Sequence, residues 1–264
     1  MNGTHADTEQ DFDSRKGAAL VAGGTGGIGA AVVRTLARRG STVLFTYRSN
    51  QEAAEALTAE LRAEGGQVEC VRADLTDEDG AAGAVGAAVE RFGGLHTLVH
   101  AAGPHVPMVH LSQVPPSRYG QQLHTEAQAF YNLVHPALAP LRDTAGSVVA
   151  VTTAATHRYP VRDGLSSGTK AAVEAVVRAL AAEEGRYGVR FNCVGPGMLT
   201  DGIAARLIED GELDDAALQV TRRNIPLRRF GTAQDIAEAV AFLVSDRAGF
   251  ITGQHLAVDG GYTV

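Results

Sequence analysis

Short apolar runs alternate with longer amphipathic stretches along almost the whole chain. The runs predict strands at 18–23, 42–47, 68–73, 95–101, 147–153, 189–194 and 254–258. Between them lie helical patterns such as AAVVRTLARRG, QEAAEALTAELRAEGG and AAVEAVVRALAAEEGRYG, several of which close on glycine, the usual helix stop. Strands that are apolar at nearly every position must be buried on both faces. That predicts a parallel sheet covered by helices on each side. Right-handed crossovers then make the chain a doubly wound α/β fold of about seven strands.

A chain of 264 residues suits one such domain, expected over 17–264, and no internal repeat or linker interrupts it. The polar start, 1–16, lacks an apolar core and is expected to be a loose tail rather than a signal peptide. The acidic stretch 198–224 breaks the rhythm after a strand end, where ligands bind in such sheets. It reads as a mobile lid or as a plain surface helix pair.

Composition narrows the picture. A net charge of −7 argues against nucleic acid or an anionic membrane as partner. No apolar run approaches the roughly 20 residues of a membrane helix, so a cytoplasmic protein is expected. Cys70 and Cys193 sit in apolar runs and read as buried thiols of a reducing compartment. With neither a cysteine cluster nor a close histidine pair at ligand spacing, no metal site is expected. Of the 23 basic residues only Lys16 and Lys170 are lysine. This bias, with abundant Ala and Gly, suggests GC-rich bacterial coding.

The first predicted strand runs into AGGTGGIGAAVV, with Gly23, Gly27 and Gly29 at the spacing G-x-x-x-G-x-G. Glycines there let the backbone turn tightly and approach a pyrophosphate seated on the following helix's N–H groups. The second strand ends in Tyr47-Arg48-Ser49, where an acidic residue would bind the ribose 2′-hydroxyl of NAD. A guanidinium suits a 2′-phosphate instead, so NADPH/NADP is the expected cofactor. After the third strand, Asp74 of ADLTD reads either as an acceptor for the adenine amino group or as a helix cap.

Together with HAAG (100–103), NCVGPG (192–197) and FITGQHLAVDGG (250–261), these residues resemble the short-chain dehydrogenase/reductase family over roughly 17–262. The resemblance implies a Rossmann fold, a nicotinamide cofactor, hydride transfer to a small-molecule substrate, and a homotetramer or homodimer. It also implies cofactor contacts from Thr25, Ile28, Leu75, Ala101, Ala102, Gly103, Lys170, Pro196, Gly197 and Leu199, and from Thr200 or, with a one-residue shift in register, Asp201, of which Thr200 is favoured. In the family, Asn, Ser, Tyr and Lys carry the chemistry, with Tyr four residues before Lys. Here Lys170 is preceded at that spacing by Ser166, the serine position is Thr153, and the asparagine position is Glu126. Some enoyl reductases of the family place Tyr seven residues before Lys; that position is Asp163. Both places for the phenol are empty. Lys170 still fits a ribose contact, since a compact ammonium on a flexible stem is not replaced by guanidinium.

Ketone reduction builds an oxyanion and needs a donor near neutral pKa, which Ser166 is not. Carboxylates at 126 and 163 favour a cation instead. The expectation is an NADPH-dependent reductase of an imine, iminium or hemiaminal carbon, in specialised metabolism or antibiotic inactivation. One alternative is an enoyl thioester reductase with Tyr159 as donor; another is a non-redox cofactor-binding protein or lyase on the same fold. The substrate pocket is expected over the strand ends, with His105, Met108, His157, Tyr159 and Leu199 around it and His110 nearby.

Overall fold

The computed structural model describes residues 11–104, 106–200 and 215–264. Its sheet comprises β1 (Ala18–Ala22), β2 (Val43–Tyr47), β3 (Val68–Arg72), β4 (Leu95–His100), β5 (Ser147–Val151), β6 (Arg190–Pro196) and β7 (His255–Val258). All pair in parallel, in the order β3-β2-β1-β4-β5-β6-β7. The observed bounds follow the apolar runs closely. The main difference is β6, which continues to Pro196 because β7 pairs with it as far as Val258.

Alternation along each strand sends neighbours to opposite layers. Leu20, Leu98, Val148 and Phe191 join one core with α3 (Glu78–Phe92), α5 (Ala129–Asp143) and α6 (Gly164–Glu184). Val21, Val99, Val149 and Val194 join the other, with α1 (Gly27–Arg38), α2 (Gln51–Ala63) and α8 (Ala233–Val244). Three of these helices, α2, α3 and α8, begin where the sequence offers caps. Asn50 accepts from Ala53 N, Asp77 from Gly80 N, and Thr232 with Asp235 forms a capping box.

Residues 11–16 depart from the expected loose tail. Phe12 is fully buried and stacks on His96, and Arg15 reaches the Val244 carbonyl and Asp246. An aromatic ring in a polar segment found a place in the second core, which removes its apolar surface from water. Residues 1–10 lie outside the described residues, as does most of the proposed lid. Of 198–224, the described part is 198–200 and the helix α7 (Asp215–Asn224).

Between α4 (Pro116–Leu123) and α5 the helix widens into one π segment, His124–Gln128. Such segments are frequent at functional sites. This one carries Glu126 to a buried position beside α6.

Candidate active site

The strand order reverses between β1 and β4, which opens a crevice at their carboxyl ends. Gly23 has φ +81°, and a Cβ there would sit 2.7 Å from Ala102 Cα. The turn after β1 therefore rests directly on the 101–103 loop. A Cβ on Gly29 would lie 2.1 Å from the Gly23 carbonyl oxygen, so α1 is packed against its own turn. Gly26 stands at the N-cap of α1 with no side-chain cap, and the first turn holds no acidic residue. Thr25 and Ile28 are half-buried and Gly27 is exposed beside these N–H groups. An uncapped helix start under a glycine turn fits a pyrophosphate.

Tyr47 is half-buried, while Arg48 and Ser49 are exposed at the end of β2. Asp74 does not cap α3; that is Asp77. Asp74 Oδ1 instead accepts from Thr76 N at 3.0 Å and Thr76 Oγ1 at 2.7 Å. Those bonds hold its carboxyl below the ordinary range, with a smaller contribution from Arg48. Leu75 is buried, and its carbonyl accepts from Asn132 Nδ2 at 3.1 Å. Ala101 N donates to Ala22 O at 3.0 Å. On the far side, Pro196 ends β6 and Gly197 N donates to Val258 O at 3.1 Å. Thr200 N donates to Gly231 O, and Leu199 is buried in the second core, offering a pocket little surface. Asp201 and His105 lie outside the described residues.

At the centre, Lys170 Nζ donates to Glu126 Oε1 at 2.7 Å, with the Val151 carbonyl at 3.4 Å. The Glu126 side chain is 2% exposed and that of Lys170 16%. A Cβ on Gly103 would lie 3.4 Å from Glu126 Oε2, so the β4 loop closes over the pair. Glu126 is therefore a partner of Lys170 rather than a free carboxylate. The sequence could not show this, because the contact spans 44 positions and passes through the π segment.

Asp163 stands at the N-cap of α6, yet its side chain caps nothing. Its backbone carbonyl accepts from Ser166 N and Ser167 N. Burial pushes the carboxyl up to about 6, against the opposing pull of Lys170. Thr153 Oγ1 accepts from Ala155 N at 3.2 Å at the head of the turn Ala154–Thr156. Ser166 is half-buried, one turn before Lys170. Tyr159 is 67% exposed and His157 is also exposed. The Met108 carbonyl is held by Arg162 Nε at 3.0 Å and Nη2 at 2.6 Å. His110 is exposed.

One neighbour carried no signal beyond its place in HAAG. His100 ends β4 fully buried, edge-on to Phe130, and neither ring nitrogen has a hydrogen-bond partner among the described residues. Burial, and then the charge of Lys170, push it down to about 3. A neutral imidazole thus lies beneath the ion pair.

A protein-family model described as "Enoyl-(Acyl carrier protein) reductase" matches residues 22–263. The chain is 32% identical over 265 residues to the 1-cyclohexenylcarbonyl-CoA reductase of Streptomyces collinus, covering 100% of this chain and 92% of the relative. Among solved structures, a short-chain type dehydrogenase/reductase from Mycobacterium ulcerans superposes with a TM-score of 0.88 at 30% identity, over 96% of this chain and 90% of the other. A short-chain dehydrogenase from Burkholderia cenocepacia in complex with NADP gives 0.86 at 29% identity, over 96% and 100%.

Proposed function

The chain belongs to the short-chain dehydrogenase/reductase family of oxidoreductases, and on that premise we propose that it is an NADPH-dependent reductase of a C=N bond or hemiaminal carbon in a small molecule. The observation that carries this reading is Asp163, a carboxyl left free by the helix it begins and raised to about 6 at the position of a family phenol. Exposed Arg48, with no acidic residue beside it at the end of β2, supports NADPH over NADH. The structural relative holding NADP supports the same choice. The glycine turn and α1 would hold the pyrophosphate. Lys170 has three N–H donors; one goes to Glu126 and another faces Val151 O, which leaves one for the nicotinamide ribose.

Bound NADPH supplies the hydride. Asp163 donates its proton to the hemiaminal hydroxyl, the C–O bond breaks and water leaves. The carboxylate so formed faces the iminium that its own proton transfer created. Hydride addition gives a neutral amine, and Asp163 regains a proton from solvent. With a pKa near 6 the carboxyl keeps its proton in roughly a tenth of molecules at pH 7 and can act as an acid; the carboxylate it leaves suits an acceptor that becomes a cation and opposes one that becomes an oxyanion. Glu126 adds no net charge, being neutralised by Lys170.

A second reading, reduction of an enoyl thioester, is favoured by the 1-cyclohexenylcarbonyl-CoA reductase relative. Against it, a net charge of −7 is a poor match for an anionic CoA, which exposed Arg158 and Arg162 offset only locally.

NADPH oxidation with a cyclic imine, a hemiaminal, an enoyl thioester and a ketone separates these readings. The hemiaminal is expected to turn over, with kcat falling as pH rises through about 6. Asp163→Asn should lower that kcat by roughly 10²–10⁴ and spare a preformed iminium. Oxidation by the enoyl substrate alone, intact in Asp163→Asn and lost in Tyr159→Phe, would overturn the proposal in favour of the second reading.

A further inference from the structure

Behind the site, three side chains from three elements converge. His157 comes from the segment after β5, Glu174 from α6 and His255 from β7. One donor atom of each lies within 4.8 Å of the other two. Glu174 is buried and the His255 side chain is 8% exposed. Among the described residues His255 Nε2 is sealed from solvent and makes no hydrogen bond, with Glu174 Oε1 at ion-pair distance, 3.4 Å away. A buried ring nitrogen without a partner calls for an explanation.

The surroundings are shaped for these rings. A Cβ on Gly195 would fall 2.3 Å from His255 Cε1 and Nε2, so glycine at that place in β6 makes the room the imidazole occupies. Thr156 Oγ1 lies 2.9 Å from Glu174 Oε1 and 3.0 Å from His157 Nδ1, and also within reach of Thr153 O at 3.1 Å. A hydroxyl bridging carboxylate and imidazole orients both. Partners behind metal ligands do the same.

We propose that His157, Glu174 and His255 form a binding site for a divalent transition-metal ion of the Zn²⁺ type. Zinc bonds to nitrogen and oxygen of about 2.0–2.2 Å place neighbouring corners of a tetrahedron about 3.3 Å apart. The His255–Glu174 edge already has that spacing. His157 is stacked on His255, with ring centroids 4.3 Å apart; being exposed, it is the member whose ring must swing out of the stack to turn a nitrogen toward the ion. Two imidazoles and one carboxylate suit zinc, cobalt or nickel, whereas calcium and magnesium take oxygen donors. Three protein ligands leave the fourth corner to solvent. The ligands stand at 157, 174 and 255, so no spacing along the sequence reveals them. A bound ion would tie the segment that follows Thr153 to α6, one turn beyond Lys170, and to the last strand.

The test uses untagged full-length protein, stripped with a chelator and dialysed, then titrated with Co²⁺ and with Zn²⁺. The expected result is one ion per chain by equilibrium dialysis. Co²⁺ should give the visible absorption of a low-symmetry nitrogen–oxygen site, and the melting temperature should rise with metal concentration. His157→Asn, on an exposed ring, should keep the fold by circular dichroism and weaken binding roughly tenfold or more. Glu174→Gln should do likewise. His135→Asn, on the exposed face of α5, should leave binding unchanged. No stoichiometric uptake at micromolar metal, or uptake equal in wild type and His157→Asn, would overturn the proposal.

Discussion

Lys170 and Glu126 hold each other where water scarcely reaches, and that fixes what replacement of either will do. Lys170→Met leaves a buried carboxylate without its cation and should cost about 3–5 kcal/mol. The double variant Lys170→Met/Glu126→Gln removes the stranded charge and should recover part of that loss, measured by urea unfolding. Asp163 makes the opposite kind of statement. Its folded pKa of about 6 lies above the value of the unfolded chain, so the native state binds the extra proton. The stability this gives is fully present below about 4 and is lost as pH rises through 6. Asp163→Asn should therefore stabilise the protein at pH 8 relative to wild type, by on the order of 2 kcal/mol, with little effect at pH 4. Register alone placed Lys170, Asp163 and Glu126 for attention. Whether a carboxylate was free, capping or paired depended on side-chain direction, which the one-dimensional pattern does not carry.

Elements were the most legible level, because a strand buried on both faces must be apolar at nearly every position, as in β1 and β5. Helix starts at Asn50, Asp77 and Thr232 follow from capping side chains that satisfy the first N–H groups. The π segment was not legible, since HTEAQ differs from ordinary helix only in hydrogen-bond partner. Nor was the docking of Phe12, a single ring without periodic neighbours. The glycine turn allows a sharp test. Gly29→Ala sets a methyl against the Gly23 carbonyl, so it should cost about 1–3 kcal/mol and weaken NADPH binding, read by cofactor fluorescence. A variant that bound NADPH as tightly as wild type would show that the turn yields without consequence.

At the scale of the molecule, both layers of helices and the reversal of strand order place every cofactor-side loop at one end of the sheet. That arrangement was expected from alternation of short apolar runs with helices. The burial of His96 and His100 was not, because each is one polar residue inside an apolar strand. Burial lowers His96 to about 4 and His100 to about 3, with the charges of Arg15 and Lys170 adding to the effect. The unfolded chain thus binds protons that the native state refuses. Stability carried by these rings is present above about 6.5 and declines as pH falls through 6 and 5. Asp163 has the reverse slope between about 4 and 6. Removing it by Asp163→Asn should steepen the acid-side loss, seen as a larger fall in melting temperature from pH 6 to pH 4.5.

The scarcity of lysine gives the ion pair a use outside catalysis. An amine-directed acylating reagent meets two lysine side chains, Lys16 exposed on the docked N-terminal segment and Lys170 held by Glu126 in the crevice. Lys16 then serves as an internal standard for reagent dose. The ratio of acylated Lys170 to acylated Lys16, counted by peptide mass, should drop as NADPH fills the crevice. Nucleotide occupancy thereby becomes a mass-spectrometric reading that needs no substrate.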